Sequence, residues 1–262
     1  AYISIVLLAL EYSDFNAIPH FNLAFEIESI VGGVKDNVIP KNAGAKFLVE
    51  DVEAVKAAVD TLNAQLKAEY GVADPNAELV LAIGEVKECD VLSECAKGKM
   101  LTALNLMPNG VQAMSQDLPG LVETSLNMGV VRLSEDNLQI GVSVRSSVAS
   151  AKAYITNKVT QLTEFLGGVA STSGEYPAWP LARESKFRDQ CVAAYKELYG
   201  KDPEIVTIHA GLECGILSEK IPGLDCISIG PNMQDIHTVK ERISISSIAR
   251  TWDFIKAVLA YK

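Results

Sequence analysis

The amino-acid sequence predicts an α/β protein in two parts: an α+β first part of mixed strands and helices, and an α/β second part. In residues 1–168, strand-like stretches with alternating apolar residues are interleaved with amphipathic helices, which is typical of a sheet covered on one face. In residues 169–262, the order strand, helix, strand, helix favours parallel pairing. The pair Gly167-Gly168 closes the last helix of the first part, so we expect the domain boundary there.

The first part contains a helix whose limits are predicted by local signals. Asp51 is a typical N-cap, apolar residues recur at helical spacing as far as about Tyr70, and Gly71 follows. The opening run, residues 3–12, is interpreted as the end of another helix. The other predicted elements are strands at 21–30, 45–49, 78–86, 121–133 and 138–146, and helices at 90–106 and 149–166. Turn-forming residues at 134–137 indicate a hairpin between the last two strands.

The second part is predicted to alternate short strands with helices. We expect strands at 169–176, 204–208 and 226–229, helices at 184–199 and shortly after 209–215, and a last helix that Ser244 or Ser246 caps and that reaches Tyr261. Two or three parallel strands with helices make a poor independent core. The second part is therefore expected to belong to a larger sheet.

Composition and charge narrow the class of protein. The formal net charge is −10 and no basic patch stands out, which disfavours nucleic acid and anionic membrane as partners. The five cysteines are dispersed, which suits free thiols in a reducing compartment such as the cytoplasm. The apolar opening is too short to span a bilayer and lacks the basic segment of a signal peptide. The chain begins with Ala1 rather than methionine, so we expect it to be a fragment.

The stretch 225–245 is the first candidate for a functional loop. An apolar run at 226–229 ends at Gly230-Pro231, and a polar loop then presents His237. Loops beyond the carboxyl ends of strands in α/β sheets are where ligands usually bind. His237 is therefore a candidate for chemistry, although a histidine in an ordinary surface loop has the same pattern.

Four further residues have an ordinary interpretation, and three of them also have a functional one. His209 and Glu213 are four residues apart, which on a helix suits a metal pair as well as a surface contact. Arg145 ends an otherwise uncharged strand, and its planar guanidinium matches a carboxylate, but a solvated edge arginine has the same pattern. Asn37 is by default a turn residue. No Ser-His-Asp arrangement, P-loop or dinucleotide motif is found, so spacing alone leaves the function open.

Six segments, in order, resemble the bacterial aminoacyl-histidine (Xaa-His) dipeptidases of the dinuclear-zinc metallopeptidase family. They are Asp36-Asn-Val-Ile-Pro40, Pro108-Asn-Gly110, Val122-Glu-Thr-Ser-Leu-Asn127, Ser143-Val-Arg-Ser146, His209-Ala-Gly-Leu-Glu-Cys-Gly215, and Ser228-Ile-Gly-Pro231 followed by His237. The resemblance runs nearly end to end, and the segment that begins at His209 is quite specific.

The resemblance implies a role for four residues and for both parts of the chain. His237 matches the last zinc ligand, and Arg145 matches a lid arginine that grips the free carboxylate of the substrate. Asn37 matches a lid asparagine that contacts the dipeptide, and Gly211 falls where a backbone group contacts substrate. Residues 1–168 match the lid, which in this family also mediates homodimer contacts. Residues 169–262 match the C-terminal part of the catalytic domain.

The resemblance also assigns most zinc ligands and the glutamate general base to sequence that precedes this chain. No catalytic residue is therefore expected here, and the site for two zinc ions is incomplete. One hypothesis is an N-terminally truncated zinc dipeptidase, inactive by itself, acting on Xaa-His and other small dipeptides. The alternative is a non-catalytic lid-type dimerisation or regulatory module that has lost the zinc-binding half.

Overall fold

The structure is a computed structural model that describes residues 2–8, 24–85, 89–134, 137–207, 213–236 and 239–261. The described residues form two compact units, one within 1–145 and 150–172 and the other within 146–149 and 173–262. The assignment of residues 1–168 to a lid and of residues 169–262 to a catalytic domain stays a prediction.

Within the described ranges, the first unit contains a seven-stranded sheet. Its strands are β1 (Tyr2–Leu8), β2 (Phe25–Gly32), β3 (Asn42–Val49), β4 (Glu78–Gly84), β5 (Gly110–Met114), β6 (Val122–Leu133) and β7 (Leu138–Ser146). The strand order is β4-β1-β3-β2-β6-β5, with antiparallel pairing along this path, and β7 also pairs with β6. The long strand β6 thus joins β2, β5 and β7. This sheet and its helices confirm the mixed α and β class expected from the sequence.

Three helices cover one face of this sheet: α1 (Val52–Tyr70), α2 (Glu94–Leu106) and α3 (Ala149–Phe165). α1 begins where the sequence predicts, because the Asp51 carboxylate accepts a hydrogen bond of 2.9 Å from the amide of Ala54. One buried cluster joins strands and helices: Ile27, Ile30, Ala45, Phe47, Val55, Val59, Met100, Leu104, Met107, Met128 and Val131, with Val159 and Leu162 of α3 packed against it. Burial of this apolar surface is what holds the unit together.

The interpretation of the opening run as a helix is wrong for the residues that the structure describes. Tyr2–Leu8 is strand β1, and it pairs with β3 on one side and β4 on the other. A short apolar run does not by itself distinguish a strand from a helix. The two neighbouring strands decide the matter, because they supply hydrogen-bond partners along both edges of the run. Residues 9–12 of the predicted helix lie outside the described residues.

Other details of the first unit also differ from the prediction. α2 begins at Glu94 rather than at residue 90, because Ser93 is the N-cap and its hydroxyl accepts a hydrogen bond from the amide of Ala96. Pro108 and Asn109 lead directly into β5, a strand that was not predicted from the sequence. β5 is only five residues long and carries Gln112 at its centre, so it has no clear apolar alternation.

The second unit is built on the packing of two helices. Its described elements are α4 (Lys186–Tyr199), α5 (Glu213–Lys220), α6 (Ile245–Ala260) and the antiparallel strand pair β8 (Met233–Gln234) and β9 (Arg242–Ile243). Cys191 and Ala194 of α4 are buried against Phe254 and Val258 of α6. The ring of Tyr195 meets that of Phe254 edge to face, with 5.3 Å between centroids. This buried cluster is much smaller than the one in the first unit.

The strands predicted for the second part of the chain, residues 169–262, are not formed in its described residues. Residues 169–176, 204–207 and 226–229 have no strand assignment. A β-strand needs a neighbour that completes its ladder of hydrogen bonds, and an apolar run alone does not supply one. Ser244 stands at the N-cap of α6 but makes no side-chain cap hydrogen bond. Instead, the Ser247 hydroxyl donates to the Ser244 carbonyl at 2.6 Å and accepts from the Asn232 amide at 2.9 Å.

The connection between β2 and β3, residues 33–41, lies directly against β6. Gly33 has a φ of +67°, a left-handed conformation that favours glycine. A β-carbon at Gly33 would overlap the carbonyl oxygen of Gly129, and a β-carbon at Gly129 would overlap the carbonyl oxygens of Lys35 and Asp36. Glycine is therefore required at both positions for the two backbones to approach this closely.

In the second unit, an aspartate carboxylate binds the start of α4. Asp225 accepts hydrogen bonds from the Ser185 hydroxyl at 2.6 Å and from the Phe187 amide at 2.9 Å. The Ser185 hydroxyl in turn accepts a hydrogen bond of 3.0 Å from the amide of Arg188. The bond from Ser185, followed by that from Phe187, lowers the pKa of the Asp225 carboxyl below its usual range. A capped helix start is thus tied to residue 225, just before the apolar run at 226–229.

We expect Gly129→Ala to destabilise the first unit by about 1–3 kcal/mol, because the methyl group meets backbone atoms that cannot rotate away. The matched control is Gly98→Ala in α2, where a β-carbon has no neighbour within 4 Å. That change should be neutral or stabilise by about 0.5–1 kcal/mol, through helix propensity. Amide hydrogen exchange in β2, β3 and β6 measures both effects. Equal exchange in the two variants would contradict the close approach.

We expect Asp225→Asn to remove part of the acid sensitivity of α4. A carboxyl whose pKa is lowered by folding stabilises the fold above its unfolded pKa, and this contribution is lost as the pH falls through the folded pKa. Protection of the Phe187 and Arg188 amides from hydrogen exchange should therefore decrease on acidification in the wild type and change less in the variant. Ser185→Ala should cost about 1 kcal/mol at neutral pH. Identical pH profiles in wild type and Asp225→Asn would contradict this role.

Candidate functional site

Asn37 lies at the tip of the connection between β2 and β3. Its side chain is exposed, and its backbone amide donates a hydrogen bond of 2.9 Å to the Asp36 carboxylate. The amide of Val38 donates to the carbonyl of Lys35 at 3.2 Å, which closes a turn around Asn37. The default interpretation as a turn residue is therefore correct for its backbone. Its exposure also leaves the side chain accessible to a ligand.

Arg145 lies near the end of β7 and is exposed. Ile140 and Val142 of this strand pack against the buried cluster. Because side chains alternate along a strand, Gly141 and Arg145 lie on the opposite face, away from the helices. A β-carbon at Gly141 would lie 3.7 Å from the β-carbon of Asp36. The connection that carries Asn37 and the side chain of Arg145 therefore both lie on the face of the sheet opposite to α1, α2 and α3.

Gly211 and His237, the two candidates of the second unit, lie outside the described residues. The residues next to each of them are described. α5 begins at Glu213, directly after the segment that holds Gly211. The segment that holds His237 connects β8 to β9. Arg242 of β9 pairs with the Asp235 carboxylate and donates from Nε to the Gln234 side chain at 2.9 Å.

Asp235 has a backbone φ of +53°, which is uncommon for a residue with a side chain and is best tolerated by aspartate and asparagine. Its carboxylate forms an ion pair with Arg242. The guanidinium thus holds Asp235, the residue that directly follows β8. His237, two positions further along the chain, lies outside the described residues.

Two thiols lie beside the same segments. The Cys226 sulfur is 3.3 Å from the Ser218 hydroxyl and 3.9 Å from the carbonyl of Cys214. Burial, followed by the neighbouring thiol of Cys226, raises the pKa of Cys214. A thiol with a raised pKa is a weaker nucleophile at neutral pH. Cys214 is therefore less reactive than an ordinary cysteine.

The described residues do not make up a metal site on their own. Among them, no group of three or more histidine, cysteine, aspartate or glutamate side chains is placed to hold a metal ion. A catalytic zinc site needs about three protein ligands. The predicted ligand His237 lies outside the described residues, so its role in binding zinc stays a prediction.

One residue of this site was not singled out by sequence analysis. Asn127 stands in a segment that resembles the dipeptidases, but the sequence suggested no role for it. Its carboxamide donates hydrogen bonds to the carbonyls of Asp36 and Val38, at 2.6 and 2.9 Å. These residues are about 90 positions away in the chain, so no local pattern could have revealed the contact.

Comparison with known proteins agrees with the motifs. No protein-family model matches the sequence. The cytosol non-specific dipeptidase of Escherichia coli (strain K12) is 32% identical over 230 residues, which are 87% of this chain and 47% of that protein. The crystal structure of aminoacylhistidine dipeptidase from Vibrio alginolyticus has a TM-score of 0.85 and 28% identity, and the match covers 100% of this chain and 57% of that one.

This chain spans about half the length of the relatives that it matches. The sequence similarity extends over most of the chain, and the structural similarity extends over all of it. The resemblance inferred from the six segments is confirmed: this chain is homologous to the bacterial aminoacylhistidine and cytosol non-specific dipeptidases.

Proposed function

We propose that this chain is part of a zinc-dependent dipeptidase that hydrolyses Xaa-His and other small dipeptides through a metal-activated water. The observation that carries the proposal is the similarity to two proteins named as dipeptidases, by sequence over 87% of the chain and by structure over all of it. The segments that resemble this family contain Asn37, Arg145, Gly211 and His237. The similarity extends over most of the chain and also includes the segments that contain the candidate site residues. Agreement at both levels favours a shared activity over a shared fold alone.

In this proposal the first unit binds the substrate. Arg145 holds the free carboxylate of the dipeptide, because a guanidinium presents two parallel N–H donors to a carboxylate. Asn37 contacts the dipeptide through its exposed carboxamide, which offers both donors and an acceptor. Support comes from their placement: the connection that carries Asn37 and the side chain of Arg145 both lie on the face of the sheet opposite to α1, α2 and α3.

The second unit contributes the remaining two groups of the proposal. His237 is one zinc ligand, and the backbone at Gly211 contacts the substrate. The metal would supply a water of lowered pKa and stabilise the charge that develops on the peptide carbonyl oxygen. The remaining ligands and the glutamate general base are assigned to sequence that this chain does not contain, so we propose that it is inactive by itself.

We also propose that the enzyme is cytoplasmic and forms a homodimer through residues 1–168. Neither nucleic acid nor membrane is proposed as a partner. Support for the compartment comes from the relative that is named a cytosol dipeptidase. In the part of the chain that the structure describes, no helix is long and apolar enough to cross a bilayer.

The non-catalytic alternative and the dipeptidase proposal differ in what the complete gene should encode. If the protein is a dimerisation or regulatory module, the reading frame upstream of Ala1 should not encode the missing histidine, aspartate and glutamate ligands. If it is a dipeptidase, that reading frame should encode them. Sequencing the complete coding region separates the two.

We expect Arg145→Lys in the complete enzyme to lower kcat/KM for free dipeptides by about tenfold or more, which is about 1.4 kcal/mol of transition-state stabilisation. Lysine keeps the charge but cannot make the two parallel hydrogen bonds. The effect should be much smaller for dipeptide amides, which have no carboxylate. Steady-state kinetics on a dipeptide and its amide measure the difference.

The control for this experiment is Arg132→Lys on β6, an exposed arginine to which no role is assigned. It should leave kcat/KM unchanged on both substrates. An equal loss on dipeptide and amide in Arg145→Lys would mean that Arg145 is structural, and the carboxylate-binding role would be wrong.

We expect His237→Ala to lower the zinc content of the complete enzyme, since the loss of one ligand leaves a weaker site. Zinc is measured by elemental analysis after dialysis against a weak chelator. His20→Ala is the matched control, because the resemblance assigns no role to that histidine. Residues 1–262 alone should retain no stoichiometric zinc. Zinc retained by this chain after dialysis would show that it holds a complete site.

A further inference from the structure

The side chain of Asn127 connects β6 to the tip that carries Asn37. The carboxamide nitrogen of Asn127 donates two hydrogen bonds, one to the Asp36 carbonyl at 2.6 Å and one to the Val38 carbonyl at 2.9 Å. These two carbonyls belong to the residues on either side of Asn37. An amide group has two donors, and here both are used to hold the backbone around one residue.

The position of Asn127 on β6 explains why its side chain can reach the tip. Leu126 and Met128 are 2% and 5% exposed and lie in the core of the unit. Strand alternation places Asn127 on the other face, which no helix of the buried cluster covers. Two residues further along the same face, Gly129 lies so close to the carbonyls of Lys35 and Asp36 that an added β-carbon would overlap both oxygens. Asn127 and Gly129 therefore fix the connection together, one by hydrogen bonds and one by close approach.

These hydrogen bonds restrict the conformational freedom of the backbone around Asn37. The amide of Asn37 is bonded to the Asp36 carboxylate, and the carbonyls before and after it are bonded to Asn127. Without these bonds, the tip would be an exposed connection of nine residues, 33–41, between two strands. Such connections are usually mobile. Positioning a contact group before the substrate binds reduces the entropy that is lost in the transition state.

We propose that Asn127 is a positioning residue: it acts on the substrate only through Asn37, by holding the backbone of residues 36–38 in the conformation that binding needs. This inference rests on the proposed function, in which Asn37 contacts the dipeptide. It assigns a role to a residue that contacts neither substrate nor metal.

The test is a double-mutant cycle in the complete enzyme. Asn127→Ala removes both donors, and Asn127→Asp places a negative acceptor beside the two carbonyls. Each should lower kcat/KM on a free dipeptide by about tenfold, and Asn37→Ala should lower it at least as much. Because Asn127 acts through Asn37, the double variant Asn37→Ala/Asn127→Ala should be no worse than Asn37→Ala alone.

The matched control is Asn63 of α1. Its carboxamide also bridges backbone groups, donating to the Leu79 carbonyl at 2.9 Å and accepting from the Leu79 amide at 2.6 Å. It joins α1 to β4, away from the tip. Asn63→Ala should reduce stability, and its effect on kcat/KM should be small and multiply with that of Asn37→Ala.

A second measurement does not depend on activity. Amide hydrogen exchange of residues 36–38 should be faster in Asn127→Ala than in wild type, whereas Asn63→Ala should leave it unchanged. Losses of kcat/KM that multiply in the Asn37/Asn127 cycle would overturn the inference. Unchanged exchange at 36–38 would also overturn it. If the wild-type enzyme does not hydrolyse dipeptides, the proposed function is wrong, and the exchange measurement alone still decides whether Asn127 fixes the tip.

Discussion

The contact between the β2–β3 connection and β6 is the constraint on which the candidate site of the first unit depends. At Gly129 the two backbones are so close that a side chain would meet carbonyl oxygens, and at Asn127 a carboxamide bonds two carbonyls of the same connection. Backbone carbonyls that leave a sheet at a turn must find new donors or face water. Here the donors come from a neighbouring strand, so the position of the turn is fixed by the sheet itself. The exposed Asn37 takes its position from this arrangement.

The two faces of the sheet have different roles, and the contact lies on the face that carries the candidate site residues. One face is buried under α1, α2 and α3 through a continuous apolar cluster. The face that these helices do not cover carries polar groups on β6 and β7, among them Asn127 and Arg145. Burial on one side therefore makes the sheet a rigid support for groups on the other. Sites on strands are held more precisely than sites on free loops, which suits the recognition of a small substrate.

The second unit is organised differently. Its buried cluster is small, and large apolar side chains of α6, such as Ile245, Trp252 and Leu259, are exposed. Polar contacts supply much of its local order: Asp225 binds the start of α4, Arg242 binds Asp235, and the Tyr199 hydroxyl donates to the Arg250 carbonyl at 2.7 Å. Such polar contacts fix the local positions of the residues that they join, whereas the stability of a fold comes mainly from buried apolar area.

The sequence by itself determined what depends on neighbouring residues in the chain. The limits of α1 followed from the Asp51 cap and the helical spacing, and the hairpin of β6 and β7 from its turn residues. The six segments, which give direct evidence of ancestry, predicted the dipeptidase relationship. Tertiary structure decided everything that depends on a distant partner. The opening run is a strand because β3 and β4 pair with it, and the run at 226–229 is not a strand because no described neighbour pairs with it. The role inferred for Asn127 rests on carbonyls about 90 residues away, because a hydrogen bond depends on distance in space and leaves no period in the sequence.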